Sequence, residues 1–150
     1  MARLAERVDG VKPRVAVTSP ERYCAGMLSS ATPVTFIQTR DAAASAAFYQ
    51  SVLGLPLGKQ DDFATVYDLG CAILRVTHIP NWTAGGHPAL GWHVEDIAAA
   101  CTALRDKGVV FTIYEGFGHD ALGIWTAPDG GAKVAWFADP DGNVLSLTQG

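Results

Sequence analysis

Positive charge is scarce in this chain of 150 residues: 11 Lys and Arg stand against 15 Asp and Glu, a formal net charge of -4. With no basic surplus to neutralise a phosphate backbone, nucleic acid is excluded as an expected partner. Long apolar runs are missing too. The longest, such as Ile97–Cys101 and Val134–Ala138, fall far short of the roughly 18 to 20 residues a membrane span needs. Cysteine is sparse and odd in number (Cys24, Cys71, Cys101), with no short metal-like spacing. That excludes a complete internal disulfide framework and makes a reducing cytoplasm the expected location. Cys71 and Cys101 sit in apolar patterns and read as small core residues. What the chain does have is apolar content, 49% against 17% charged residues, which rules out a disordered tail and supports one or two small domains. Residues 1–30 scatter charges and hold no continuous apolar stretch of the secretory kind. They are expected to be a loose extension without chemistry, with Met27 as an alternative start, leaving 31–150 as a single domain.

From residue 33 the chain repeats itself. Val34–Thr39 reads as a strand, Asp41 as a helix cap, Ala42–Leu53 as a helix and Gly54 as its stop. Pro88–Val94 is again a strand, Asp96 again a cap, Ile97, Cys101 and Leu104 fall at helical spacing, and Gly108 is again a stop. Short β-rich runs follow each helix: Leu57–Gln60, Phe63–Tyr67 and Cys71–Val76 in the first copy, Val109–Tyr114, Lys133–Phe137 and Asn143–Thr148 in the second. Asp68-Leu-Gly70 and Asp139-Pro-Asp-Gly142 serve as turns. Each copy reads β-α-β-β-β. The second also carries a glycine-rich insertion, Glu115 to Ala132.

In this register, Asp41-x3-Ser45-x2-Phe48-Tyr49-x2-Val52-Leu-Gly-Leu55, His93-Val-Glu-Asp-Ile97 and Trp136-Phe-x-Asp139-Pro-Asp-Gly-Asn143 resemble the vicinal oxygen chelate superfamily. That superfamily holds glyoxalase I, bleomycin-resistance proteins, extradiol dioxygenases, methylmalonyl-CoA epimerases and fosfomycin-resistance enzymes. The likeness covers about residues 33 to 149. It implies an α+β fold of two tandem βαβββ modules, about 33–78 and 87–149, forming a curled mixed sheet around a groove, commonly in a homodimer.

The resemblance also implies where a metal would be held. Metal-using members place one ligand in the first strand of each module, seven residues before the capping Asp, here Val34 and Ala89. They place the other in the last strand, four residues after the turn glycine, here Leu74 and Ser146. Val, Ala and Leu offer no lone pair, and a neutral Ser is a poor substitute for His, Glu or Asp. The expectation is therefore no metal and no other cofactor. The alternative is a lyase, isomerase or dioxygenase whose divalent metal is held by His87, His93, His119 and Glu115.

Residues two apart on a strand share a face. By alternation and by the resemblance, the groove is expected to present Phe36, Gln38, Leu74, Gly91, His93, Trp136 and Ser146, a largely apolar, aromatic-bearing concavity suited to a small molecule. Two histidines are candidates for catalysis. His93 ends a strand, where it either pairs with backbone or meets ligand; His119 lies in Gly116–Gly123, read either as a solvated loop or as a flap closing on the groove. The leading expectation is a metal-free protein binding an apolar or aromatic small molecule, with sequestration and catalysis both open.

Overall fold

The structure, a computed structural model, describes residues 28–150. Apart from a turn at 28–30, the expectation for residues 1–30, including Cys24 and Met27, lies outside the described residues. The fold is α+β, as expected, with one sheet from each half of the chain.

Strand β1 (Val34–Thr39) leads into α1 (Ala42–Ala47), whose first turn is capped by Asp41 accepting from the Ala43 and Ala44 amides at 3.0 Å. Alanine favours the helix, but the chain then widens into a π-helical turn over Phe48–Val52, closed by Leu53 N–H donating to the Phe48 carbonyl at 3.0 Å. The expected helix over 42–53 is therefore two kinds of turn. Strands β2 (Leu57–Gln60), β3 (Ala64–Asp68) and β4 (Ile73–His78) complete a sheet in the order β1-β4-β3-β2, with only β1 and β4 parallel. Because β4 begins at Ile73, Cys71 belongs to the preceding hairpin and is exposed, correcting its reading as a core residue.

The second half repeats this order. It runs β5 (Pro88–His93), α2 (Ile97–Asp106) capped by Asp96, β6 (Phe111–Thr112), β7 (Trp125–Thr126), β8 (Lys133–Ala138) and β9 (Val144–Gln149), in the sheet order β5-β9-β8-β6. The expected strand over 109–114 shrinks to two residues. The insertion returns as β7, which takes the place beside β8 at Val134 and Lys133 that a longer β6 would fill. Among the described residues, no helix is long and apolar enough to cross a membrane.

One apolar cluster joins both halves, with Ile37, Tyr49, Tyr67 and Leu74 from the first and Ile97, Cys101, Phe137 and Leu145 from the second. Cys101 is fully buried as expected, and that burial pushes its thiol up to about 11. The halves are also stapled by the Asp139–Asn143 turn. Asp139 accepts from the Tyr49 phenol (2.8 Å), the Asn143 side-chain amide (2.8 Å) and the backbone N–H groups of Asp141 and Asn143 (2.9 Å each). Asn143 donates to the Gln38 carbonyl (2.9 Å) and accepts from the Trp82 indole (3.0 Å). Asp141 accepts from the Thr39 hydroxyl and from the backbone N–H and Nε of Arg40. Burial alone would raise the Asp141 carboxyl; these donors outweigh it and hold it below the ordinary value. Burial and the adjacent Asp139 drive the Tyr49 phenol well up, so it stays protonated and donating.

Candidate functional site

Each sheet has one face under its helix and one face turned away. On β1, Ile37 and Thr39 are 1% exposed, while Val34 and Phe36 are 47% and 57% exposed and Gln38 is half-buried. Parallel pairing sets Val34 opposite Ile73, Phe36 opposite Arg75 and Gln38 opposite Thr77, and β3 adds Val66 opposite Arg75. These residues form the open face of the first half. Lys59 of β2 pairs with Val66, so Lys59, Val66, Arg75 and Phe36 make one cross-strand row.

Leu74 is not on this face. It pairs with Thr35 and Tyr67 and is fully buried on the helix side. The expectation placed it by counting four residues from the turn glycine, a count that holds from Gly142 to Ser146. In the first half the hairpin between equivalent pairs, Val66–Arg75 against Trp136–Ser146, is one residue shorter, but its glycine sits earlier in the turn, so the place equivalent to Ser146 falls five after Gly70, at Arg75. Pairing confirms the equivalence: Ser146 stands opposite Gly91 and Arg75 opposite Phe36, and Phe36 and Gly91 are 55 apart like the two capping aspartates, 41 and 96. A slip of one residue exchanges the faces of a strand.

In the second half the open face carries Gly91, His93, Ser146, Thr148, Val134 and Trp136. Gly91 leaves room for Ser146: a Cβ there would lie 2.5 Å from the Ser146 Oγ, so that hydroxyl would have to turn away. This face is largely occupied by the protein's own insertion. Tyr114 meets Trp136 edge-on at 5.4 Å between ring centroids, His119 does so at 5.8 Å, and Trp125 and Phe117 pack on it at 6.2 and 6.4 Å. The insertion thus brings His119 to Trp136, but spends both ring nitrogens on backbone. Nε2 accepts from the Tyr114 N–H (3.2 Å), and Nδ1 lies 3.0 Å from the Gly123 carbonyl, which can only accept. In this arrangement Nδ1 is the donating and Nε2 the accepting nitrogen, and both are directed at backbone. His93 is exposed at the end of β5, beside an apolar hollow of about 370 Å³ under α2.

The four inherited places hold Val34, Ala89, Arg75 and Ser146, and the guanidinium adds like charge where a metal would be held. Among the described residues no three His, Cys, Asp or Glu side chains gather, so His87, His93, His119 and Glu115 do not form the alternative ligand set.

The open face of the first half has a hollow of its own. A hollow of about 390 Å³ near the β3–β4 hairpin is lined by Thr32, Lys59, Val66, Asp68 and Ile73 among others. Arg75 approaches Asp61 through Nη2 alone, at 3.5 Å, with both side chains about one-third exposed. Backbone donors from Phe63 and Ala64 (2.9 Å each) engage the other Asp61 oxygen and hold that carboxyl below its ordinary value, aided by Arg75 and Lys59. Sequence reasoning missed Arg75 and the Tyr114–Phe117–Trp125 lining. The signal for Arg75 was present, since it stands between the apolar Leu74 and Val76 that must face the core together.

Comparison with known proteins agrees with this architecture. Residues 31–147 match the Glyoxalase/Bleomycin resistance protein/Dioxygenase superfamily. A protein of Synechocystis sp. described as a probable lactoylglutathione lyase is 30% identical over 133 residues, 77% of this chain and 92% of that protein. Among solved structures, lactoylglutathione lyase from Agrobacterium tumefaciens aligns with a TM-score of 0.61 at 20% identity, covering 81% of this chain and 94% of that one. A glyoxalase/bleomycin resistance protein/dioxygenase from Alicyclobacillus acidocaldarius aligns at 0.62 and 18%, covering 77% and 88%. At these identities the structural likeness shows a shared fold.

Proposed function

Because the chain belongs to the glyoxalase/bleomycin resistance protein/dioxygenase superfamily, we propose that it is a small-molecule-binding member whose site is the open sheet face and is not built around a divalent cation. The observation that carries this reading is the identity of the four inherited ligand places: Val34, Ala89, Arg75 and Ser146 supply no carboxylate and no imidazole. The face instead exposes Val34 and Phe36, and covering the Phe36 ring with an apolar or aromatic ligand contributes about 1 to 2 kcal/mol. Phe36, Gln38, Gly91, His93, Ser146 and Trp136 are the residues proposed to border the ligand. Leu74 acts beneath them as core. A homodimer in the cytoplasm completes the reading.

The description of the Synechocystis relative as a lactoylglutathione lyase favours a second reading, a metal-dependent lyase with non-standard ligands. Metal content separates the two. Untagged protein analysed by mass spectrometry is expected to hold far less than one Mn, Fe, Ni or Zn per chain and to gain no lyase activity when these ions are added. Stoichiometric metal, or activity restored by it, overturns the first reading.

A further inference from the structure

We propose that the ligand of this face carries an anionic group beside its apolar body, and that Arg75 is the residue that reads it. The inference rests on the small-molecule reading above and narrows its ligand to a class: an apolar or aromatic molecule bearing a carboxylate, phosphate or sulfonate. Arg75 stands on an inner strand, with Phe36 on one side of it and Val66 on the other. Its stem therefore crosses apolar surface while its guanidinium stays partly in solvent. Only Nη2 has a partner, Asp61 at the outer limit of hydrogen bonding, so the rest of the fork is free for the paired oxygens of an oxyanion.

The surroundings are of mixed charge. Lys59 lies in the same row, two strands away, and lines the neighbouring hollow together with Asp68. Asp61 and Asp68 stay anionic, but their oxygens are held by the Phe63, Ala64 and Gly70 amides, and Asp61 reaches one nitrogen of the Arg75 fork alone, so it is the open part of that fork that an oxyanion would meet. Phe36, directly opposite Arg75 and 57% exposed, offers the ring against which the apolar part packs. The equivalent place in the second half holds Ser146 against Gly91, with no charge in the pair. One positive fork beside one bare ring is a pattern for an organic acid.

The test uses two fluorescent probes that differ by one anionic group, anilinonaphthalene sulfonate and the neutral N-phenylnaphthylamine, titrated into the full chain, Arg75→Gln and Phe36→Ala. Arg75→Gln is expected to weaken sulfonate binding about tenfold and to change the neutral probe by less than about twofold, whereas Phe36→Ala weakens both. Raising salt on the unmodified protein, a measurement independent of whether the variants fold, is expected to weaken the sulfonate only. If both probes bind, Phe36→Ala weakens both, and neither Arg75→Gln nor salt changes their ratio, the anionic class is wrong while the small-molecule site stands. If Phe36→Ala changes neither probe's affinity, the site reading itself fails.

Discussion

At the scale of single residues, one hydrogen atom at position 91 decides how closely β5 and β9 approach. A methyl group there would meet the Ser146 Oγ at 2.5 Å and the Ser146 carbonyl oxygen at 3.3 Å. Gly91→Ala is expected to cost about 1 to 2 kcal/mol in chemical denaturation, a strain that exceeds the gain from a stiffer unfolded chain. Adding Ser146→Ala removes the colliding oxygen and should recover most of that loss; a double variant as unstable as the single one would place the strain in the backbone. Much at this scale was legible. Asp41 and Asp96 cap the two helices as their spacing indicated, and Phe36, Gln38, Gly91 and Trp136 fall on the open faces by simple alternation. Leu74 was misplaced because alternation needs a starting point. The turn before β4 is a residue shorter than its counterpart and carries its glycine earlier, and apolar pattern alone sets neither loop length nor the place of the glycine.

At the scale of elements, the insertion between β6 and β8 is the part that sequence described least well. Its glycines were read either as a solvated loop or as a flap over the groove, yet its rings pack on Trp136 and its histidine bonds to backbone at both nitrogens. Those partners are main-chain groups, which a sequence does not display. His119→Ala deprives the Tyr114 N–H and the Gly123 carbonyl of their partners, and the effect should be local. Limited proteolysis is expected to cut between Gly116 and Gly123 many times faster, with tryptophan emission shifting as Trp125 and Trp136 gain solvent, while the melting temperature falls only a few degrees. Unchanged protease resistance would mean that ring packing alone holds the segment.

At the scale of the whole molecule, the Asp139–Asn143 turn binds the second half to the first, and Asp141 is its charged member. Asp141→Asn keeps the shape but replaces an acceptor oxygen by a donor facing Thr39 or Arg40, at an expected cost of about 1 to 3 kcal/mol near neutral pH. The folded-state carboxyl lies below its ordinary 3.8. Its contribution is therefore complete above that value and is lost as pH falls through the lower folded-state one. The stability difference between the unmodified chain and Asp141→Asn should accordingly close in strong acid; a constant difference across pH would show that charge plays no part. The same turn has a kinetic consequence. The Thr39 hydroxyl and the Asp141 carboxylate are 102 residues apart in the chain, and the Tyr49 phenol and Asp139 are 90 apart. Contacts this distant in sequence form late, after the loops between them have closed. On the ribosome, the buried phenol of the first half waits for its partner until nearly the whole domain has been synthesised, so the last hairpin to emerge is the step that locks the first.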